Sequence, residues 1–121
     1  MNIALWIVQG LMAAMFLMAG SMKATQPKEK LAPKLPWVND YSALSVKLIG
    51  ISQILGAIGL IVPWATGIIP ILTPAAAIGL ALIMLLAAIY HFGKGEYKEI
   101  GVNVFMLALL VFVAYGRLYM A

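Results

Sequence analysis

"YHFGKGEYKEIG", residues Tyr90 to Gly101, interrupts an otherwise apolar chain with charge. It holds the single histidine, two of the seven lysines and two of the four acidic residues. Read as an active site, it offers His91 and a carboxylate pair, Glu96 and Glu99. Read as a wet turn, it separates two membrane helices. The flanks favour the turn, because Pro74 to Phe92 and Ile100 to Tyr115 are both long apolar runs. Glu96 and Glu99 are three apart, but Lys94 and Lys98 are interleaved with them. They read as solvated acids at a helix start, where the positive end of the helix dipole favours them. His91, at the membrane edge of the turn, stays a candidate for chemistry.

Working outward, only 10 % of the 121 residues are charged, and the mean hydropathy is +1.04. A soluble domain of this size needs far more charge on its surface. A bilayer takes about 20 apolar residues per helical span. The chain has room for four, at approximately 3–22, 44–62, 74–92 and 100–115, within one transmembrane domain over 1–121. The runs are continuously apolar and do not alternate, so they are helices and not barrel strands. The expected fold is an all-α, integral membrane four-helix bundle. Pro63 is expected to end the second span. Thr73 is expected to cap the third, with Pro74 at its first helical position. The run Ile3 to Met22 has no basic residue before it, so it reads as a retained helix and not a signal peptide.

Composition also excludes chemistries. The chain has no cysteine, which removes thiolate nucleophiles, disulfide exchange, iron–sulfur ligation and cysteine zinc sites. One histidine cannot build a His-rich metal site, and the eight methionines are not clustered with Cys or His as a copper path requires. No metal is expected. The net charge of +4 does not signal nucleic acid, because the lysines fall in two membrane-flanking loops.

Those loops set the expected topology. The first carries Lys23, Lys28, Lys30 and Lys34 against Glu29 and Asp40, with Lys47 just inside the second span. The third adds Lys94 and Lys98, while the second, "PWATGIIPILT" (Pro63 to Thr73), has no charge. The positive-inside rule places loops 23–43 and 93–99 in the cytoplasm and both termini outside, in a multi-pass membrane protein. Lys28, Glu29, Lys30 and Lys34 read as headgroup contacts. Trp6, Trp64, Tyr115 and Tyr119 mark the outer interface, with Arg117 as an anchor there. Trp37, Tyr41, Tyr90 and Tyr97 mark the inner one.

At 100° per residue, small and polar side chains fall on stripes. These are Gln9, Ala13, Phe16, Gly20 and Lys23 in span one, and Gly50, Gln53, Gly56 and Ala57 in span two. Span three has Ala77, Ala81, Met84, Ala87, Ala88 and His91; span four has Asn103, Leu107, Leu110, Ala114 and Arg117. Such stripes are packing faces, since polar groups facing lipid are costly. By depth, Lys23, Gln53, His91 and Asn103 fall in the lysine-rich half of the bundle. They are the candidate ligand-binding residues, and no catalytic residue is assigned. In the functional reading, Lys23 supplies charge, His91 carries a proton or donates a hydrogen bond, and Gln53 and Asn103 orient an amphiphile. In the structural reading, Lys23 snorkels to headgroups, the two amides bridge helices, and His91 is the first wet residue after its helix.

Three segments carry a resemblance: "FLMAGSMK" (Phe16 to Lys23), "LIGISQILGAIGLIVP" (Leu48 to Pro63) and "AAIYHFGKGEYKEIGVNV" (Ala87 to Val104), together with Pro36–Trp37. Their order and spacing resemble the DoxX-like family of small bacterial four-helix membrane proteins, over nearly the whole chain. The family pattern has a lysine closing helix one, matched by Lys23. It often has a glutamate in helix two, where this chain has Gln53. It has a histidine late in helix three, matched by His91, and sometimes an asparagine in helix four, matched by Asn103. Gln53 hydrogen-bonds at that depth but carries no proton.

The resemblance implies a redox-linked accessory role, since some relatives are subunits of a thiosulfate:quinone oxidoreductase and others are tied to oxidative-stress complexes. It also implies a bacterial inner membrane. The polar pocket under an apolar bundle suits a quinone, a sterol-like molecule or a lipid as ligand. With no redox-cofactor ligands and no catalytic set in the chain, neither an intrinsic cofactor nor independent enzymatic activity is expected. The resemblance also implies membrane lipid and an oxidoreductase subunit as partners. A homo-oligomer through the small-residue faces is a further expectation, and nucleic acid is not. The fold is also similar to eukaryotic four-helix proteins that bind sterols or assist receptor assembly. A second reading is therefore a non-enzymatic lipid-ligand-binding or membrane-protein assembly factor. A third is a small-molecule transporter. Small multidrug transporters need an acidic residue inside helix one, and "ALWIVQGLMAAMF" has none.

Overall fold

The computed structural model describes residues 2–33 and 35–120; Lys34, one of the expected headgroup contacts, lies outside them. The described chain is helical, with no strand. Helix α1 (Asn2–Thr25) is followed by a single turn, α2 (Lys28–Leu31), and a 3-10 segment, Pro36–Asp40. Then come α3 (Ala43–Thr66), α4 (Leu72–Gly93) and α5 (Tyr97–Tyr115), and the last turn, Gly116–Met120, widens to a π-helix. The helices α1, α3, α4 and α5 are each long and apolar enough to cross a membrane. The all-α membrane bundle expected from the sequence is the observed architecture.

Around the ring, α1 packs most extensively on α3 and α4 on α5. The two pairs join through an α3–α4 seam and a narrower α1–α5 seam. The lysine-bearing connections meet at one end, called here the lysine-rich end; Asn2, Arg117 and the α3–α4 loop meet at the other, called the termini end. The α1–α3 seam is close because it is built on glycine. A Cβ on Gly20 would stand 2.6 Å from the Gly50 carbonyl oxygen, and one on Gly50 would stand 2.6 Å from that of Gly20. Small residues let membrane helices approach in this way, where dispersion replaces the hydrophobic drive.

The main core runs along the bundle axis through Met12, Phe16, Ala57, Leu60, Leu80 and Leu110. Leu31, Val38 and Val46 form a second, smaller cluster that seats the 3-10 segment against the bundle. Outward-facing side chains such as Leu55, Leu86 and Phe105 are large, apolar and exposed, as a lipid-facing surface requires.

Two helix ends differ from expectation. Pro63 does not end its helix; α3 runs on to Thr66 and closes on Gly67, which adopts φ 72° and donates its N–H to the Pro63 carbonyl at 3.0 Å. Thr73 does not cap α4, which begins at Leu72 with no side-chain cap. The two departures have one cause. Proline lacks the N–H that would bond the carbonyl four residues back, on Gly59. The Thr73 hydroxyl donates to that carbonyl at 2.8 Å. A buried backbone acceptor left without a partner is costly in lipid, and a side chain from the next helix satisfies it.

Candidate functional site

Each of the four candidate residues closes or interrupts an apolar run at the lysine-rich end. Lys23 lies in the last turn of α1. Its Nζ donates to Gln53 Oε1 on α3 at 2.9 Å and lies 5.5 Å from the centre of the Trp37 ring. Gln53 is buried, and so are His91 near the end of α4 and Asn103 on α5. Four helices thus bring Lys23, Gln53, His91 and Asn103 to one cavity of about 320 Å³.

The cavity has a roof, a floor and a side. Trp37 and Tyr41, from and beside the 3-10 segment, form the roof, with Tyr41 meeting Tyr90 at 5.8 Å between ring centres. The Tyr90 hydroxyl donates to Asp40, and Lys94 pairs with the same carboxylate at 3.3 Å. These contacts tie the roof to the end of α4. Met84 closes the cavity toward the core. Ile49, Ile83 and the exposed Leu86 carry its wall out to the lipid-facing surface between α3 and α4.

A second cavity, of about 270 Å³, lies beyond a wall that both share, made of Trp37, His91 and Asn103. Its other side carries Glu96, Lys98 and Glu99 from the charged turn. His91 therefore stands between an apolar-sided cavity and a charged one. The turn holds it there. Gly95, at φ 71°, reverses the chain so that the Glu96 N–H bonds the His91 carbonyl at 2.9 Å, and Glu96 Oε1 stands 3.0 Å from His91 Nδ1. With an ionised carboxylate, the ring N–H is the donor. Glu96, read from sequence as a solvated acid, is thus a direct partner of the histidine. The five-residue spacing across a glycine was the signal for it. Glu99 stays exposed in the first turn of α5.

Asn103 is the unsatisfied member. Its side chain is buried, and its Nδ2 has no hydrogen-bond partner. Lys23 has no carboxylate within ion-pair distance among the described residues. No group of three or more His, Cys, Asp or Glu side chains is arranged to hold a metal among those residues.

A second polar cluster sits at the termini end, and it corrects the reading of Arg117. This residue is not an exposed interface anchor: it is 4 % exposed, in the π-helical turn that follows α5. Its Nε donates to Gln9 Oε1 at 2.6 Å and its Nη1 to Asn2 Oδ1 at 2.8 Å. Its guanidinium lies 5.2 Å from the Trp6 ring centre and 4.7 Å from that of Trp64. Gln9 in turn donates to the Leu60 carbonyl at 2.6 Å. Two aromatic faces and two amide oxygens offset part of the desolvation of the charge, while Nη2 has no partner among the described residues, and the arginine clasps α1 and α3 to the turn that follows α5.

A family model described as DoxX-like matches residues 7–113, nearly the whole chain. Searches of curated proteins and of solved structures each gave no match. The match spans all four helices and every residue of the lysine-rich cavity, and by it the chain belongs to the DoxX-like family.

Proposed function

We propose that this membrane protein holds a bilayer-dissolved amphiphile in its lysine-rich cavity, and acts as an accessory subunit of a redox-linked membrane complex and not as an independent enzyme. The single observation that carries this reading is the form of the cavity. It has polar groups from four helices at its inner face and an apolar wall that reaches the lipid-facing surface between α3 and α4. A ligand entering sideways from the membrane would place its head against Lys23, Gln53, His91 and Asn103 and leave its tail along Ile49, Ile83 and Leu86. The volume is at the small end for ligand pockets, which suits a head group whose chain stays in lipid. A quinone belongs to this class, since its carbonyl oxygens accept hydrogen bonds and its tail is isoprenoid. Electrons would then belong to the ligand or to a partner subunit, because the chain brings no redox ligands of its own.

The test is mass spectrometry of lipids co-purifying with the protein after gentle extraction. An amphiphile at one per chain, lost on His91→Ala or Gln53→Leu with assembly intact, supports the reading. Bulk phospholipid in ordinary proportion, unchanged by either substitution, counts against it. In that case the second reading, an assembly factor that engages partner helices, takes precedence.

A further inference from the structure

The proposed ligand is defined so far only as an amphiphile, but the charge balance of the cavity narrows its head group. We infer that the cavity selects an amphiphile with an anionic, oxygen-bearing head, a carboxylate or a phosphate, held between Lys23 and Asn103. This rests on the amphiphile reading above and adds the chemistry of the head.

Two independent observations carry it. The first is the state of each charge around the cavity. Asp40 accepts from Tyr90 and pairs with Lys94. Glu96 is engaged by His91 on the side of the second cavity. Glu99 also faces the second cavity. Among the described residues, no carboxylate lines the first cavity, and Lys23 meets a neutral amide and an indole face. An ammonium has three donor hydrogens and no acceptor, so at least two remain after the bond to Gln53. The second observation is the unpartnered Asn103 Nδ2, on a side chain 9 % exposed that lines the same cavity.

The neutral groups agree in sign. Gln53 turns its oxygen to Lys23, which leaves its N–H groups as the free part of that amide. The polar wall is therefore biased to donors, and it carries one positive charge with no internal counter-charge among the described residues. A carboxylate or phosphate oxygen satisfies both Lys23 and Asn103, and charge-assisted hydrogen bonds of this kind are stronger than those to a neutral carbonyl. A quinone would meet the donors but leave the charge of Lys23 unpaired in a largely apolar pocket.

The experiment is equilibrium binding to the full-length protein in nanodiscs of phosphatidylcholine. Four probes are compared: oleate, its uncharged methyl ester, phosphatidylglycerol as competitor, and a short-chain quinone. Oleate is expected to bind at least about tenfold more tightly than methyl oleate or the quinone. Lys23→Met should reduce oleate binding by a similar factor, Lys23→Arg should retain it, and Asn103→Leu should weaken it less. Competition by phosphatidylglycerol assigns the head to a phospholipid phosphate; oleate binding without such competition assigns it to a free carboxylate. The ester comparison needs no variant, so it decides even where Lys23→Met fails to fold. If methyl oleate or the quinone binds as tightly as oleate, the anionic head is wrong and the amphiphile reading stands. If no probe binds the wild-type protein, both readings fall.

Discussion

The carbonyl of Gly59 illustrates how one missing hydrogen is made good within the bundle. Pro63 removes the donor and the Thr73 hydroxyl replaces it from another helix. Thr73→Val should therefore destabilise the bundle by about 1 kcal/mol, within the range for interhelical hydrogen bonds in membranes. On a Pro63→Ala background, where alanine supplies the helix N–H, the same change should cost much less. Reversible unfolding in bicelles reads the double-mutant cycle, and equal costs on both backgrounds would refute the pairing. Sequence reading placed a helix end at Pro63 because proline lacks a donor, which is sound local reasoning. A partner ten residues away leaves no local mark, so the continuation to Thr66 was not legible. Glu96 differs: its contact with His91 depends on a left-handed glycine between them, so the spacing did leave a local mark, and it was passed over because the interleaved lysines suggested a solvated turn. Glu96→Gln keeps the acceptor and loses the charge. It should preserve the fold and the contact with the ring, whereas Glu96→Ala removes the partner and should lower the melting temperature.

Among the elements, α1 and α3 have the least room for error. Gly20 and Gly50 meet backbone to backbone, so no rotamer change relieves an added side chain. Gly50→Val should cost about 3 kcal/mol or more, as overpacking that only helix separation relieves. Gly101→Ala, where a Cβ meets open space, should leave the melting temperature unchanged. Thermal melts of the two variants in one detergent make the comparison. The packing stripes were legible in advance because the helical period and the cost of polar groups in lipid point the same way. Gln9, Phe16, Gly50, Gln53, Ala57, Leu110 and Ala114 are all buried as their stripes require. Arg117 was on its stripe too, yet its role was misread. A guanidinium near a chain end argues for the interface unless aromatic faces are waiting for it, and Trp6 and Trp64 come from two other helices.

For the molecule as a whole, polarity is divided between two ends. The lysine-rich end has the cavity, while the termini end has the Arg117 clasp across the narrow α1–α5 seam. Arg117→Leu leaves Gln9 Oε1 and Asn2 Oδ1 without their donor and should destabilise by about 2 kcal/mol. Its local signature should be faster hydrogen exchange at the termini end of α1 and α5, with the Lys23–Gln53 end unchanged. Uniform acceleration throughout would contradict a local clasp. The convergence of Lys23, Gln53, His91 and Asn103 was readable from helix, face and depth alone. The roof over them was not, since it comes from a short irregular segment whose position depends on Leu31, Val38 and Val46.

Between the two polar ends lies a continuous band of Met12, Phe16, Leu60, Leu80 and Leu110. Electrically, that band is an insulator. A proton reaching His91 from the charged turn meets hydrocarbon beyond Gln53, and the guanidinium at the far end stands behind the same barrier. Among the described residues, no continuous polar route runs from one end of the bundle to the other. Liposomes carrying it should hold a pH gradient as long as bare ones do. A measurable leak would revive the transporter reading.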